Sequence, residues 1–292
     1  MDLIQPPLNA NLGRRDNGAV LNMERISGFA ECLTDITQTC GEQDIKTGPI
    51  SAELGAGQFE INLNHQNDVL LAADQCALYR RAIKGVAHKH NYQATFMAKP
   101  YLNQAGNGMH LHVSFYDETG NNSLAQDQQK PLLNAVAGCL ELMPQSLLFF
   151  ASNRNAFRRL ESGNATTVSP SWGFENRSVA VRIPQSDEKN LRLEHRLASA
   201  GANSYLTLAA ILAGMYHGLK NKLDPGPATD FDATQANGLP QDIIEAIDTT
   251  KQDSELSSYL GADFIKLYCT QKYSELKAFE NDISAREYDW YL

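Results

Sequence analysis

The chain has 292 residues, with 25 Lys plus Arg against 34 Asp plus Glu and a net charge of −9 at neutral pH. That acidity lacks the basic footprint that nucleic acid or an anionic membrane requires. A composition of 42% hydrophobic residues with only 20 Gly and 11 Pro excludes collagen-like, disordered and coiled-coil classes. Five scattered cysteines, Cys32, Cys40, Cys76, Cys139 and Cys269, include no Cys-x-x-Cys pair and point to a reducing compartment, the cytoplasm. The start, Met1-Asp2-Leu3-Ile4-Gln5-Pro6-Pro7, has neither a basic nor an apolar signal region, and no run of 18 apolar residues occurs. Neither a secretion signal nor a spanning helix is expected.

Residues 1–20, rich in Pro, Asn, Gly and Arg, read as an irregular lead-in. From Leu21 to about Cys40 the apolar spacing predicts a helix, closed by Gly41. Gln58 to Leu63 alternates, with Phe59, Ile61 and Leu63 on one side and Glu60 among the polar residues opposite. Asp68 to His90 carries apolar residues in steps of three and four, a helix that Asn67 or Asp68 would cap. His88 and His90 sit at its end as dipole-complementing or capping residues.

Ala94 to Ala98 and Met109 to Phe115 read as strands, the second with His110, His112 and Ser114 on its polar side. After a turn at Gly120-Asn121-Asn122, a helix is expected from about Pro131 to Phe150. Arg177 to Ile183 and Leu191 to Leu197 alternate again, and from Ala202 onward helices flank a loop at Asp224 to Asp232. Helix and strand mix without regular βαβ order, so the fold class is α+β with a largely antiparallel curved sheet and flanking helices, one domain over 1–292.

Strand alternation aims three polar stripes: Glu53 with Glu60 across the Gly55-Ala56-Gly57 bend, His110-x-His112-x-Ser114, and Arg192-x-Glu194-x-Arg196. If their strands share one sheet, they form a floor of carboxylates, imidazoles and guanidiniums. Carboxylates with one imidazole suit magnesium or manganese better than zinc. Arg158, Arg159, Arg177, Arg182, Arg192 and Arg196 crowd into about forty residues, and their planar forks suit phosphate and carboxylate oxygens. Cations and arginines together suggest phosphoryl transfer. Alone, an Arg-x-Glu-x-Arg strand is a solvated face with surface ion pairs, and His65, His195 and His217 read as structural.

The segments Glu53-x-x-x-Gly57-Gln58-x-Glu60, Met97-Ala98-Lys99-Pro100, Gly106-Asn107-Gly108-Met109-His110-x-His112-x-Ser114, Asn176-Arg177-Ser178-x-x-x-Arg182-Ile183-Pro184 and Arg192-x-Glu194-x-Arg196 together resemble the catalytic domain of glutamine synthetase. Ala94 to Pro100 and Trp172-Gly173 are more similar to the γ-glutamylpolyamine (putrescine) synthetase branch. The resemblance implies that ATP phosphorylates the γ-carboxylate of glutamate and that ammonia or an amine then displaces phosphate. It implies two divalent cations, Mg2+ or Mn2+, one on Glu53 and Glu60 and one on His110 and Glu194. His112 and Ser114 would lie near the nucleotide, Arg182 and Arg192 would hold it, Arg177 would hold the transferring phosphoryl group, and Arg159 and Arg196 the glutamate carboxylate. Full-length relatives of this kind form rings with active sites between subunits.

Three departures from the family pattern qualify what it implies. The family's further Glu-x-Glu has no match upstream of Glu53, where only Glu42-x-Asp44 occurs, in a polar stretch. The family's N-terminal β-grasp domain is also missing, so the expectation is a catalytic domain without its front strand. Where ammonia-using members place a flap glutamate and a glycine-loop asparagine, this chain has Ala165 and Ala105, which favours a primary amine or polyamine as acceptor. The competing expectation is a remnant that binds nucleotide or glutamate and catalyses little; a metal-dependent hydrolase is a third.

Overall fold

The computed structural model describes residues 2–3, 21–160, 168–234, 238–252 and 255–292. Most of the lead-in, and Ala165, lie outside the described residues. The chain forms two compact units, Met1–Met109 with Ala198–Leu208, and His110–Leu197 with Ala209–Leu292.

In the first unit, β1 (Asp2–Leu3) pairs antiparallel with β4 (Ala94–Thr95), and β2 (Thr47–Ala52) with β3 (Phe59–Leu63). The helix expected over residues 21–40 is two helices, α1 (Met23–Gly28) and α2 (Ala30–Glu42), divided at Phe29. Phe29 is drawn out of the helical path by its ring, which packs on Phe59 at 5.1 Å and on Tyr92 at 5.5 Å. Gly41 lies inside the last turn of α2, and Gln43 follows as the cap. The helix α3 (Val69–Lys89) begins at Asp68, whose Oδ1 accepts from Leu70 N at 2.8 Å and Leu71 N at 3.2 Å. His90 closes it and faces Asp35 at 2.7 Å. The core of the unit joins Leu33 and Ile36 of α2, Phe59 and Ile61 of β3, and Ile83 and Val86 of α3.

In the second unit, β5 (Leu111–Val113), β6 (Trp172–Phe174), β7 (Val181–Ile183) and β8 (Leu193–His195) form a sheet in the order β5-β8-β7-β6. Two of its pairings are antiparallel, and β6 runs parallel to β7. The helices are α4 (Gln126–Glu141), α5 (Met143–Phe150), α6 (Arg154–Leu160), α7 (Ser204–Asn221, whose first residues belong to the other unit), α8 (Ile243–Lys251), α9 (Glu255–Leu260), α10 (Ala262–Glu280) and α11 (Ala285–Tyr291).

The helix expected over Pro131 to Phe150 breaks at Leu142, with a bend of 75° between its halves. Pro144 at the start of α5 lacks the N–H that continuous helix would need. The backbone of Asp127, Gln128 and Gln129 is left-handed, so regular helix in α4 begins close to Pro131. No single helix among the described residues is long and apolar enough to cross a membrane. Facing helices α4 and α7 touch through glycine: a Cβ on Gly138 would lie 2.1 Å from Gly214 O, and one on Gly218 1.8 Å from Asn134 O.

Candidate active site

The row that organises the second unit's site runs across three strands: His112 stands opposite Glu194, and Glu194 opposite Arg182. Residues in register on neighbouring strands share a face, so the alternation predicted for both stripes is realised here. On the reverse face, Leu111 and Val181 flank His195, which is 1% exposed with its ring 4.4 Å from Phe150. His195 is thus a core residue. Burial drives its pKa down to about 3, with a smaller push from His110.

Glu194 is 3% exposed, with two guanidiniums and an imidazole against it. Its Oε1 lies 2.7 Å from Arg196 Nη1 and 3.1 Å from His110 Nδ1, and its Oε2 lies 2.6 Å from Arg182 Nε. Burial alone would raise its pKa; the hydrogen bond from His110 and the charge of Arg196 overcome that and hold it at about 2. His110 is kept neutral by burial, which outweighs the pull of Glu194. A neutral ring that hydrogen-bonds to Glu194 through Nδ1 carries its proton there and leaves the Nε2 lone pair open. His112 is lowered to about 4, first by burial, and its Nδ1 accepts from Arg192 Nε at 3.2 Å. Ser114 follows one residue past β5.

The arginines divide into two kinds. Arg159, 4% exposed on α6, donates from Nη1 to Leu197 O at 2.8 Å and from Nη2 to Arg196 O at 3.3 Å. Burial, then Arg196, brings its pKa down to about 10. Arg196 also donates to Arg177 O at 2.9 Å, and Arg192 to Asn190 O at 2.9 Å. Arg177 differs: it is exposed, and its guanidinium makes no hydrogen bond or ion pair among the described residues. One carboxylate therefore answers two guanidiniums, those of Arg182 and Arg196, and Arg177 adds a cation with no carboxylate of its own among the described residues, a local excess of positive charge that suits anionic oxygen.

The first stripe stands in the other unit, on the separate β2–β3 sheet and hydrogen-bonded to none of the strands above, so the single floor expected from the sequence is not formed by sheet pairing. The β2–β3 pair closes upon itself because the Gly55-Ala56-Gly57 bend returns the chain at once, Ala52 standing opposite Phe59. Glu53 lies one residue past β2, in that bend, and Glu60 is on β3. Their carboxyls hydrogen-bond to each other, and Glu53 is pushed up first by burial and then by the charge of Glu60. Two carboxyls forced together in this way form a site that a divalent cation would relieve.

The sequence reading missed the residues that hold this bend. Arg25 donates to the carbonyls of Glu53 and Gly55. Gln58 accepts from Gly55 N at 2.8 Å and donates to Asn107 Oδ1 at 2.7 Å, while Asn107 donates to Met97 O at 2.8 Å. Gln58, Asn107 and Met97 all lie inside the motifs quoted above; their neighbourhood to the two glutamates was the available signal. Among the described residues no group of three or more His, Cys, Asp or Glu gathers in metal-binding geometry.

Residues 2–291 match the model of the glutamine synthetase catalytic domain. The γ-glutamylputrescine synthetase PuuA of Escherichia coli (strain K12) is 39% identical over 295 residues, 99% of this chain and 62% of that protein. A glutamate–isopropylamine ligase of a Pseudomonas species is 28% identical over 94% of this chain and 62% of its own length. The solved GmaS/ADP complex superposes with a TM-score of 0.86 at 25% identity, covering 99% of this chain and 70% of that one. The chain thus spans about 62% of the length of the curated relatives just described.

Proposed function

This chain belongs to the glutamine synthetase family, and from that premise we propose that it is an ATP-dependent ligase joining glutamate to a primary amine or polyamine through a γ-glutamyl phosphate. One observation carries the reading: Arg182 and Arg196 share the single buried carboxylate of Glu194, while the guanidinium of Arg177 makes no hydrogen bond or ion pair among the described residues. In such a reaction a γ-carboxylate oxygen attacks the γ-phosphorus and ADP leaves. The amine nitrogen then attacks the acyl carbon, phosphate leaves and the nitrogen loses a proton.

The first step brings anionic oxygens together and the second builds charge on the departing phosphate, and fixed cations stabilise both most in a water-poor site. Arg177 reaches for the transferring phosphoryl group, Arg182 and Arg192 with His112 and Ser114 serve the nucleotide, and Arg196 the glutamate carboxylate. Arg159, with Nη1 and Nη2 engaged by carbonyls, contributes its charge and fixes the backbone of Arg196. The donor sets suit magnesium or manganese, with Glu53 and Glu60 holding one cation and His110 with Glu194 the other. When bound, such cations neutralise phosphate oxygens.

The acceptor follows from two supports. Both curated relatives described above carry an amine in their names, putrescine and isopropylamine. The half-buried Ala105 also puts a methyl group at the position where ammonia-using members carry an asparagine. Five free cysteines fit a cytoplasmic setting.

The test is formation of γ-glutamyl amide by this chain with ATP and manganese, comparing ammonia, methylamine, putrescine and hydroxylamine. Product that depends on ATP and favours the alkylamines is expected. Retained nucleotide binding with no product would establish the binding-only reading, and turnover without ATP would establish a hydrolase.

A further inference from the structure

Arg177 is the middle residue of a turn whose two neighbours are both tied to a segment some fifty residues downstream. Asn176 Nδ2 donates to Thr229 O at 2.9 Å and to Phe231 O at 3.0 Å. Its Oδ1 accepts from Ser178 N at 2.9 Å and Ser178 Oγ at 2.7 Å, and Ser178 Oγ in turn accepts from Ala233 N at 2.9 Å. Thr229 N donates to Trp172 O at 2.8 Å, laying the segment beside β6. Approach there is close enough that a Cβ on Gly173 would lie 2.6 Å from Thr229 O. The Arg177 carbonyl is pinned separately by Arg196. Main chain on both sides of Arg177 is therefore fixed, while its guanidinium makes no hydrogen bond or ion pair among the described residues.

We propose that Asn176 and Ser178 are positioning residues that clamp the Thr229–Ala233 segment beneath the Arg177 turn, so that this segment sets where the Arg177 guanidinium meets the terminal phosphoryl group of ATP. The inference rests on the reading of Arg177 given under Proposed function. A long cationic side chain finds an anion accurately only when its Cα is held, because each loose torsion spreads the charge over many positions. Asn176 supplies two donors and one acceptor at once, a set that neither Asp nor Ala reproduces. Ser178 supplies one hydroxyl that both donates and accepts, which Thr retains and Ala loses.

The experiment compares the affinities of the whole chain for ATP and ADP, with magnesium present, by calorimetry. The ratio of the two reports contact with the terminal phosphoryl group and needs no turnover. The wild-type chain is expected to prefer ATP, and Arg177→Ala to reduce that preference by about tenfold. Asn176→Asp, which turns a carboxylate oxygen towards two carbonyls, and Ser178→Ala are expected to reduce it as well, with ADP affinity and melting temperature near wild type. Ser178→Thr restores it. If Arg177→Ala loses the preference and Asn176→Asp and Ser178→Ala both keep it, the clamp is refuted and the reading of Arg177 stands. If Arg177→Ala keeps the preference, or the wild type has none, the reading of Arg177 falls and the inference with it. Should Asn176→Asp fail to fold, the Ser178→Ala and Ser178→Thr pair decides alone.

Discussion

Arg182 and Glu194 face each other in register across neighbouring strands, Nε to Oε2 at 2.6 Å, in a pocket where the carboxylate is almost wholly buried. Removing one member of such a group leaves the others charged and unpaired, which is costlier than the pair is valuable. Glu194→Gln is expected to lower stability to urea by about 3 kcal/mol, since Arg182 and Arg196 lose their counter-charge and His110 loses its carboxylate acceptor. An unchanged unfolding midpoint would show that the arginines relax into solvent.

Acid should unfold the protein in two stages. His112 and His195 are held neutral down to about 4 and about 3, against an ordinary value of 6.5. The unfolded chain therefore binds more protons as pH falls below 6.5, and stability declines. Glu194, held at about 2 against an ordinary 4.5, adds a second decline below pH 4.5. Glu53, pushed up, opposes this trend by binding its proton more readily when folded. Replacing His195 by Leu removes a buried ring whose Nδ1 has no partner. It should flatten the first stage by an amount on the order of a few kcal/mol or less; an identical pH profile for His195→Leu would contradict that origin.

Arg177 and Arg159 should separate activity from stability. Arg177→Ala leaves the fold intact, because its guanidinium supports nothing among the described residues, and should lower amide formation by roughly 100- to 1000-fold. Arg159→Ala strips donors from the carbonyls of Leu197 and Arg196 in a buried place and should lower the melting temperature first. Melting curves alongside initial rates for the two variants decide; the reverse pattern would exchange their roles.

Gly218→Ala should be among the most damaging small substitutions. Its Cβ would sit 1.8 Å from Asn134 O, a backbone atom of the facing helix that has nowhere to go. Overpacking of this kind costs about 3 kcal/mol, read from chemical denaturation. A mild effect would mean that α4 and α7 can part without loss.

Thiol labelling offers an independent check of the core. Burial pushes Cys32 up to about 11 and Cys139 up to about 12, while Cys76 is the one cysteine that is partly exposed. At pH 8 a maleimide should modify Cys76 quickly and Cys139 only on unfolding. Rapid labelling of Cys139 would show that the α4–α7 contact opens.

What could be read from the sequence was what periodicity records. The alternation of residues 109–115 and 191–197 gave the faces of β5 and β8, and the three-and-four spacing gave α3 with its Asp68 cap. The strand β2 stayed hidden because Thr47-Gly48-Pro49-Ile50-Ser51-Ala52 carries Gly and Pro and no clean alternation. The strand β6 is three residues long, and its parallel partner lies across a turn that only tertiary structure closes. Sequence position showed that arginines cluster; it did not show that the guanidinium of Arg159 serves backbone carbonyls while that of Arg177 has no partner among the described residues. Nor could local pattern reveal the break at Phe29, which depends on rings supplied by Phe59 and Tyr92.

The strand β8 gives the pocket Glu194 and the apolar layer Leu193 and His195, alternately and within three residues. Slippage of its pairing by a single position would drop a carboxylate into grease and lift Leu193 or His195 into the anion's place. Insertions or deletions near 191–197 therefore strike chemistry and folding in one blow, and variation in this stretch should be confined to exchanges that keep its length.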